Sequence, residues 1–436
     1  MKSTIALLLV TLGCLVASPN VNAQDASAAP SVAPVPSIAP EADSATATRA
    51  WLDTVPADKR AKSDAYFEGG YWLILWNFLL AAAISIFLLG SRLSARLRDF
   101  TERMTRFKTL QVAIYAVAYL LVTSLLAFPL IVYQHFFREH QYGLATQGFG
   151  AWFIERLIEL GVELIAFTLL LTALYAVFRR APRTWWLWGT AVVVSFLTIL
   201  IMIGPLYIDP LFNKYKPLTD PRITESILTM ARANQIPVTQ VFEVDASRQT
   251  NRISANVAGF LGTTRIALND NLLKQCTLPE IRYVMAHEMG HYVLNHMAKI
   301  LINFTILALV SFALAKVLFE AALRRWGDRW NVRGIADPAG VPLLALIIVV
   351  ISFVLTPINN TLIRVAEVEA DAFGLNTSRE PDGFAKVALK LGTYRKLDPS
   401  PIEEFIFFDH PSGRARIRMA MDWKAARLPA AGDESQ

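Results

Sequence analysis

Six long runs almost without charge constrain this chain more than any other feature. They cover residues 69–91, 109–137, 157–178, 184–208, 300–323 and 338–363. A helix needs about 20 mostly apolar residues to cross a bilayer, and each run is long enough. In hydrocarbon the backbone must satisfy its own hydrogen bonds, so such runs predict α-helices. Only 18% of the residues are charged, against about 25% in a typical soluble domain. That balance excludes a disordered chain and a purely soluble globule. The expected fold is mainly α, a multi-pass bundle of about six spans, four before residue 210 and two after residue 299.

The ends and connections divide the chain further. Residues 1–23 carry Lys2, an apolar stretch and a Val21-Asn22-Ala23 cleavage pattern. They read as a secretory signal peptide, with a retained signal anchor as the alternative. Residues 24–68 read as an Ala/Pro-rich linker, 69–208 as an N-terminal four-helix membrane domain, and 209–436 as a second domain holding the last two spans. Cys14 and Cys276 are the only cysteines, which excludes a disulfide framework and a Cys-based zinc site. Glu155, Glu159 and Glu163 form one stripe at i, i+4, i+8. It ends either in the headgroup region or against a bundle interior.

Charge then reads as topology. The net charge is +6, but six Lys/Arg lie in residues 92–108, three in 179–183 and four in 324–333. Alternating spans put these loops on one side, which the positive-inside rule makes cytoplasmic. The excess is therefore no sign of nucleic acid. Segments 209–299 and 364–436 fall on the other side, the periplasm of a bacterial inner membrane.

The polar segments hold the chemistry. Thr277-Leu-Pro-Glu280 predicts a capping box with an early proline, opening a helix that carries His287-Glu288-Met289-Gly290-His291. Imidazoles at i and i+4 share a helix face and can hold one Zn²⁺, with Glu288 as general base. A chance match on an ordinary helix is the alternative. A catalytic zinc needs a third protein ligand. His296 falls five residues after His291 and reads as a surface histidine or one that supports a ligand. The better candidate is Glu367, with Asp371 one turn on to orient a zinc histidine or to move a proton. Glu369 points about 200° away from Glu367 and is the weaker candidate. A solvated helix face is the plain reading of this cluster. His410 offers a donor for an oxyanion, unless it is a loop histidine capping a helix. Arg416 can bind an acidic partner or a substrate carboxylate. Residues 239–275 alternate like strands, and 255–257 is the candidate edge for an extended peptide. Asn256 there could bind substrate backbone, or be a turn residue.

Taken together these pieces resemble the integral-membrane zinc endopeptidases of the CAAX prenyl protease 1 type. The matching pieces run in family order: Ile208-Asp-Pro-Leu-Phe-Asn-Lys-Tyr, Ser254-Ala-Asn-Val-Ala-Gly, Arg265-Ile-Ala-Leu, the histidine motif, Glu367-Val-Glu-Ala-Asp371 and His410-Pro-Ser-Gly-Arg-Ala-Arg-Ile417. The resemblance implies one zinc per chain on His287, His291 and Glu367, with Glu288 as base. It implies Asp371 as partner acid and His410 and Arg416 as aids to the transition state or the substrate carboxyl. It also implies a small α+β zinc-protease domain of gluzincin type and a chamber among the spans. The family trims prenylated CAAX proteins and acts on the cytosolic side in eukaryotes. A signal peptide suggests bacteria, which generally lack protein prenylation, so the expected substrates are membrane or misfolded polypeptides. A transporter or channel component, whose only support is the acidic stripe, or a client-binding quality-control factor is the alternative.

Overall fold

The computed structural model describes residues 43–258 and 264–427. The signal segment 1–23 lies outside them. Six helices among the described residues are long and apolar enough to cross a membrane, at Ala57–Gly90, Lys108–Gln141, Phe149–Arg180, Trp185–Leu211, His296–Trp330 and Pro338–Ser378. Every expected run falls in one of them, to within one residue at an end. The helices overrun the apolar runs because helical hydrogen bonding continues where the chain leaves hydrocarbon.

The expected linker ends early. Helix α1, Ser44–Asp53, is capped by the Asp43 carboxylate on the Thr46 N–H at 2.6 Å. Its Trp51 is fully buried, and Ala47, Trp51 and Leu52 pack with Ile417, Ala420, Met421 and Trp423 near the carboxyl end. The first spanning helix, α2, already begins at Ala57. An alanine-rich segment with a good cap and a buried tryptophan gains more by docking as a helix than by staying a linker.

Three basic loops meet at one end of the bundle. Helix α3, Leu93–Met104, buries Arg98, which donates to Asp337 Oδ2 at 2.6 Å and to the Asn331 carbonyl at 2.9 Å. Arg92 reaches the Arg329 carbonyl, and Arg333 reaches Glu102. The Tyr175 hydroxyl, one turn before the third loop, donates to the Asp337 carbonyl. The first and fifth inter-helix loops thus touch directly, on the one side where span alternation puts both. The acidic stripe is neutralised locally. Arg156 binds Glu159 and Glu163, and Arg248 binds Glu155.

At the opposite end lies a four-stranded sheet among the described residues. Its strands are β1 (Tyr215–Pro217), β2 (Val241–Val244), β3 (Ala255–Ala258) and β4 (Arg265–Asn269), in the order β1-β2-β4-β3. β3 is therefore an edge, as expected, and pairs antiparallel with β4, Asn256 opposite Ala267.

Candidate metal centre and active site

Helix α4, Leu278–Val293, starts where the sequence predicts. The Thr277 N–H donates to Glu280 Oε2 at 2.6 Å, closing the capping box. One face carries Ile281, Met285 and Met289, which pack on Ile266 and Leu268 of the sheet. The opposite face carries Tyr283, His287 and His291 at i, i+4, i+8. That face meets helix α5, Val341–Ser378, which continues unbroken from the last span and carries Glu367 and Asp371. Glycines set the distance between the two helices. A Cβ on Gly374 would stand 3.2 Å from the His287 backbone nitrogen, and one on Gly290 3.1 Å from Phe373. Close crossing puts the histidines within reach of the carboxylates.

The two imidazoles and Glu367 converge on one point. His287 Nε2 and His291 Nε2 are 3.2 Å apart. Glu367 Oε2 lies 3.4 Å from His287 Nε2, and Glu367 Oε1 lies 3.5 Å from His291 Nε2. Two ligands each about 2.0–2.1 Å from a tetrahedral ion lie roughly 3.4 Å from one another. The donor set and its spacing therefore fit zinc. Glu288 sits half-buried beside His287 on the same helix.

The groups behind these ligands are as ordered. His287 Nδ1 is 2.9 Å from Asp371 Oδ1. Asp371 is fully buried, accepts from the Tyr283 hydroxyl at 2.8 Å and from Arg416 Nε at 2.8 Å. Arg416 Nη2 also reaches Glu367 Oε2 at 3.2 Å. Burial works against a charged His287, but Asp371 and Glu367 more than offset it and hold it up at about 10. Burial also opposes the Arg416 charge, yet Asp371 and Glu367 raise its pKa above the ordinary value. The Tyr283 hydroxyl is held well above its usual range by burial and by Asp371.

His410 closes the site from a third direction. Its Nε2 is 3.3 Å from Glu367 Oε2, and its Nδ1 is 2.8 Å from Asp409 Oδ1. Burial, and then Arg395, lower its pKa, so the ring is neutral at pH 7. A neutral ring that donates from Nδ1 to Asp409 carries a lone pair on Nε2. It becomes an oxyanion donor only after taking up a proton.

Three expectations change. Arg416 is only 6% exposed and spends its guanidinium on Asp371 and Glu367. Of its two expected partners the structure shows the acidic one. His296 is 1% exposed, so it is no surface histidine; it touches His291 instead. Asn256 lies in strand β3 rather than in a turn, and its Oδ1 is buried without a partner. Tyr283 went unpredicted, although its place four residues before His287 puts it on the ligand face.

Comparison with known proteins places this geometry. The family model described as "CAAX prenyl protease N-terminal, five membrane helices" matches residues 44–214, where four spans lie among the described residues. The model of peptidase family M48 matches residues 217–424. An uncharacterized metalloprotease of Bacillus subtilis, YhfN, is 31% identical over 76% of this chain and 78% of its own. CAAX prenyl protease 1 of Saccharomyces cerevisiae is 25% identical over 69% of this chain and 70% of its own. The crystal structure of S. mikatae Ste24p superposes with a TM-score of 0.72 at 20% identity, covering 85% of this chain and 90% of that one, which shows a shared fold. The chain belongs to peptidase family M48 and is a membrane metalloprotease of the CAAX prenyl protease 1 type.

Proposed function

We propose that this protein is a zinc endopeptidase of the bacterial inner membrane that cleaves membrane or misfolded polypeptides on the periplasmic side. One observation carries the reading. The Nε2 atoms of His287 and His291 stand 3.2 Å apart, and each lies 3.4–3.5 Å from one of the two Glu367 carboxylate oxygens, with Glu288 on the turn between the histidines. One zinc per chain would sit there, supplying Lewis acidity toward the scissile carbonyl and the attacking water. Glu288 takes a proton from that water and passes it to the leaving amine. His410, with Nε2 3.3 Å from Glu367 Oε2, stands where a protonated Nε2 would donate a hydrogen bond to the developing oxyanion. Asp371 fixes the tautomer and ring plane of His287 through Nδ1. Arg416 keeps Asp371 and Glu367 ionised. Asn256 receives a backbone N–H from a substrate laid along β3, which would satisfy its buried Oδ1. The signal segment, a membrane domain of four spans up to residue 208 and a peptidase domain from residue 209 organise the chain. The spans enclose the chamber that admits the substrate.

The substrate class is tested by comparing membrane-protein termini in cells expressing the wild type or Glu288→Gln. New termini on membrane or misfolded polypeptides should vanish in the variant. An identical set of termini would reject the assignment. The side is tested separately. Alkaline phosphatase fused after residue 436 should be active, because the carboxyl-terminal segment shares its side with the site and lies opposite the basic loops. An inactive phosphatase, with an active cytoplasmic reporter at the same position, would move the site to the cytoplasm.

A further inference from the structure

We propose that His296, anchored by Glu369, is a positioning residue that fixes the Nδ1–H tautomer and ring plane of His291 and so sets the affinity of the site for its metal. The inference rests on the metal reading above.

The local fold brings the residue there. Helix α4 ends at Val293, and Asn295 takes a left-handed conformation at φ 55. Asparagine tolerates that conformation better than most side chains. The turn folds the next helix back at once, so His296, its first residue, returns against His291 and is 1% exposed.

The hydrogen bonds then have one consistent assignment. His291 turns Nε2 toward His287 and Glu367. A neutral imidazole that ligates through Nε2 carries its proton on Nδ1. His291 Nδ1 lies 2.9 Å from His296 Nδ1, which must then be the bare acceptor. The His296 proton therefore sits on Nε2, 3.0 Å from Glu369 Oε2. Lys299 Nζ holds the same Glu369 oxygen at 2.5 Å. Each contact has one donor and one acceptor, and no imidazole has to be charged. A histidine buried only for packing would not direct both nitrogens this way. His287 has the Asp371 carboxylate itself 2.9 Å from its Nδ1. On the Nδ1 side of His291 the His296–Glu369 pair brings a carboxylate at one remove.

The test uses the full chain in detergent, stripped of metal and titrated with zinc against a chromophoric chelator. Cobalt is then added and its visible bands recorded. His296→Leu keeps the volume but removes the acceptor. It should weaken zinc binding by about 10- to 100-fold and shift the cobalt bands. His296→Asn places an amide oxygen near the former Nδ1 and should recover most of the loss. Glu369→Gln, at a partly exposed position where folding is not at stake, should give a smaller loss in the same direction. Wild-type protein that binds no zinc would overturn the metal reading itself. Wild type that binds tightly while His296→Leu binds equally tightly would overturn this inference alone. So would His296→Asn binding as weakly as His296→Leu.

Discussion

Glu288→Gln in the purified protein is expected to lower kcat for peptide cleavage by about 10²–10⁴-fold, the range for a lost general base. Zinc content and KM should stay near wild type. The amide has the shape of the carboxylate but cannot accept the water proton at neutral pH. The three candidate ligand atoms belong to His287, His291 and Glu367, so the change leaves them in place. A fall in kcat at constant KM marks an interaction made only in the transition state. Metal analysis of the same preparation excludes loss of the ion as the cause. Activity within tenfold of wild type would remove Glu288 from the chemistry.

How much of this was legible depends on the range over which each signal acts. The six spans are local composition, so the apolar runs located all of them. The histidine motif and the Glu367–Asp371 pair are helix periodicities, and a period of 3.6 residues put each on one face. Tyr283 obeys the same spacing and could have been read. The partnership of Arg416 with Asp371 and Glu367 could not. It spans 45 and 49 residues, and an arginine on a helix looks the same whether it faces solvent or a buried acid. The burial of His296 hangs on the left-handed turn at Asn295, which no periodicity announces. Helix α1 hid in alanines and threonines of low hydropathy, although Asp43 and Trp51 were its cap and its anchor.

Arg416→Met should destabilise the fold by about 3–5 kcal/mol, the cost of removing one partner from a buried ion cluster. Asp371 is fully buried and Glu367 is 6% exposed, one turn apart on one helix. Without the guanidinium, two carboxylates would face each other in a dry site, with His287 as the remaining close cation of the pair. The loss should therefore exceed that of Arg418→Met two residues on. Arg418 pairs with Asp422 at the surface, where both side chains are about half exposed, and such pairs contribute about 0–1 kcal/mol. Added zinc should recover part of the Arg416→Met deficit, because a bound cation neutralises Glu367 but leaves Asp371 short of a partner. Denaturation of both variants with and without zinc measures this directly. The same experiment separates two roles for Arg416. If it held a substrate carboxylate, Arg416→Met would raise KM and leave stability at the Arg418→Met level. If it is the counter-ion of the buried acids, stability falls first, and the loss of activity follows from the loss of Asp371 and Glu367 as ordered groups.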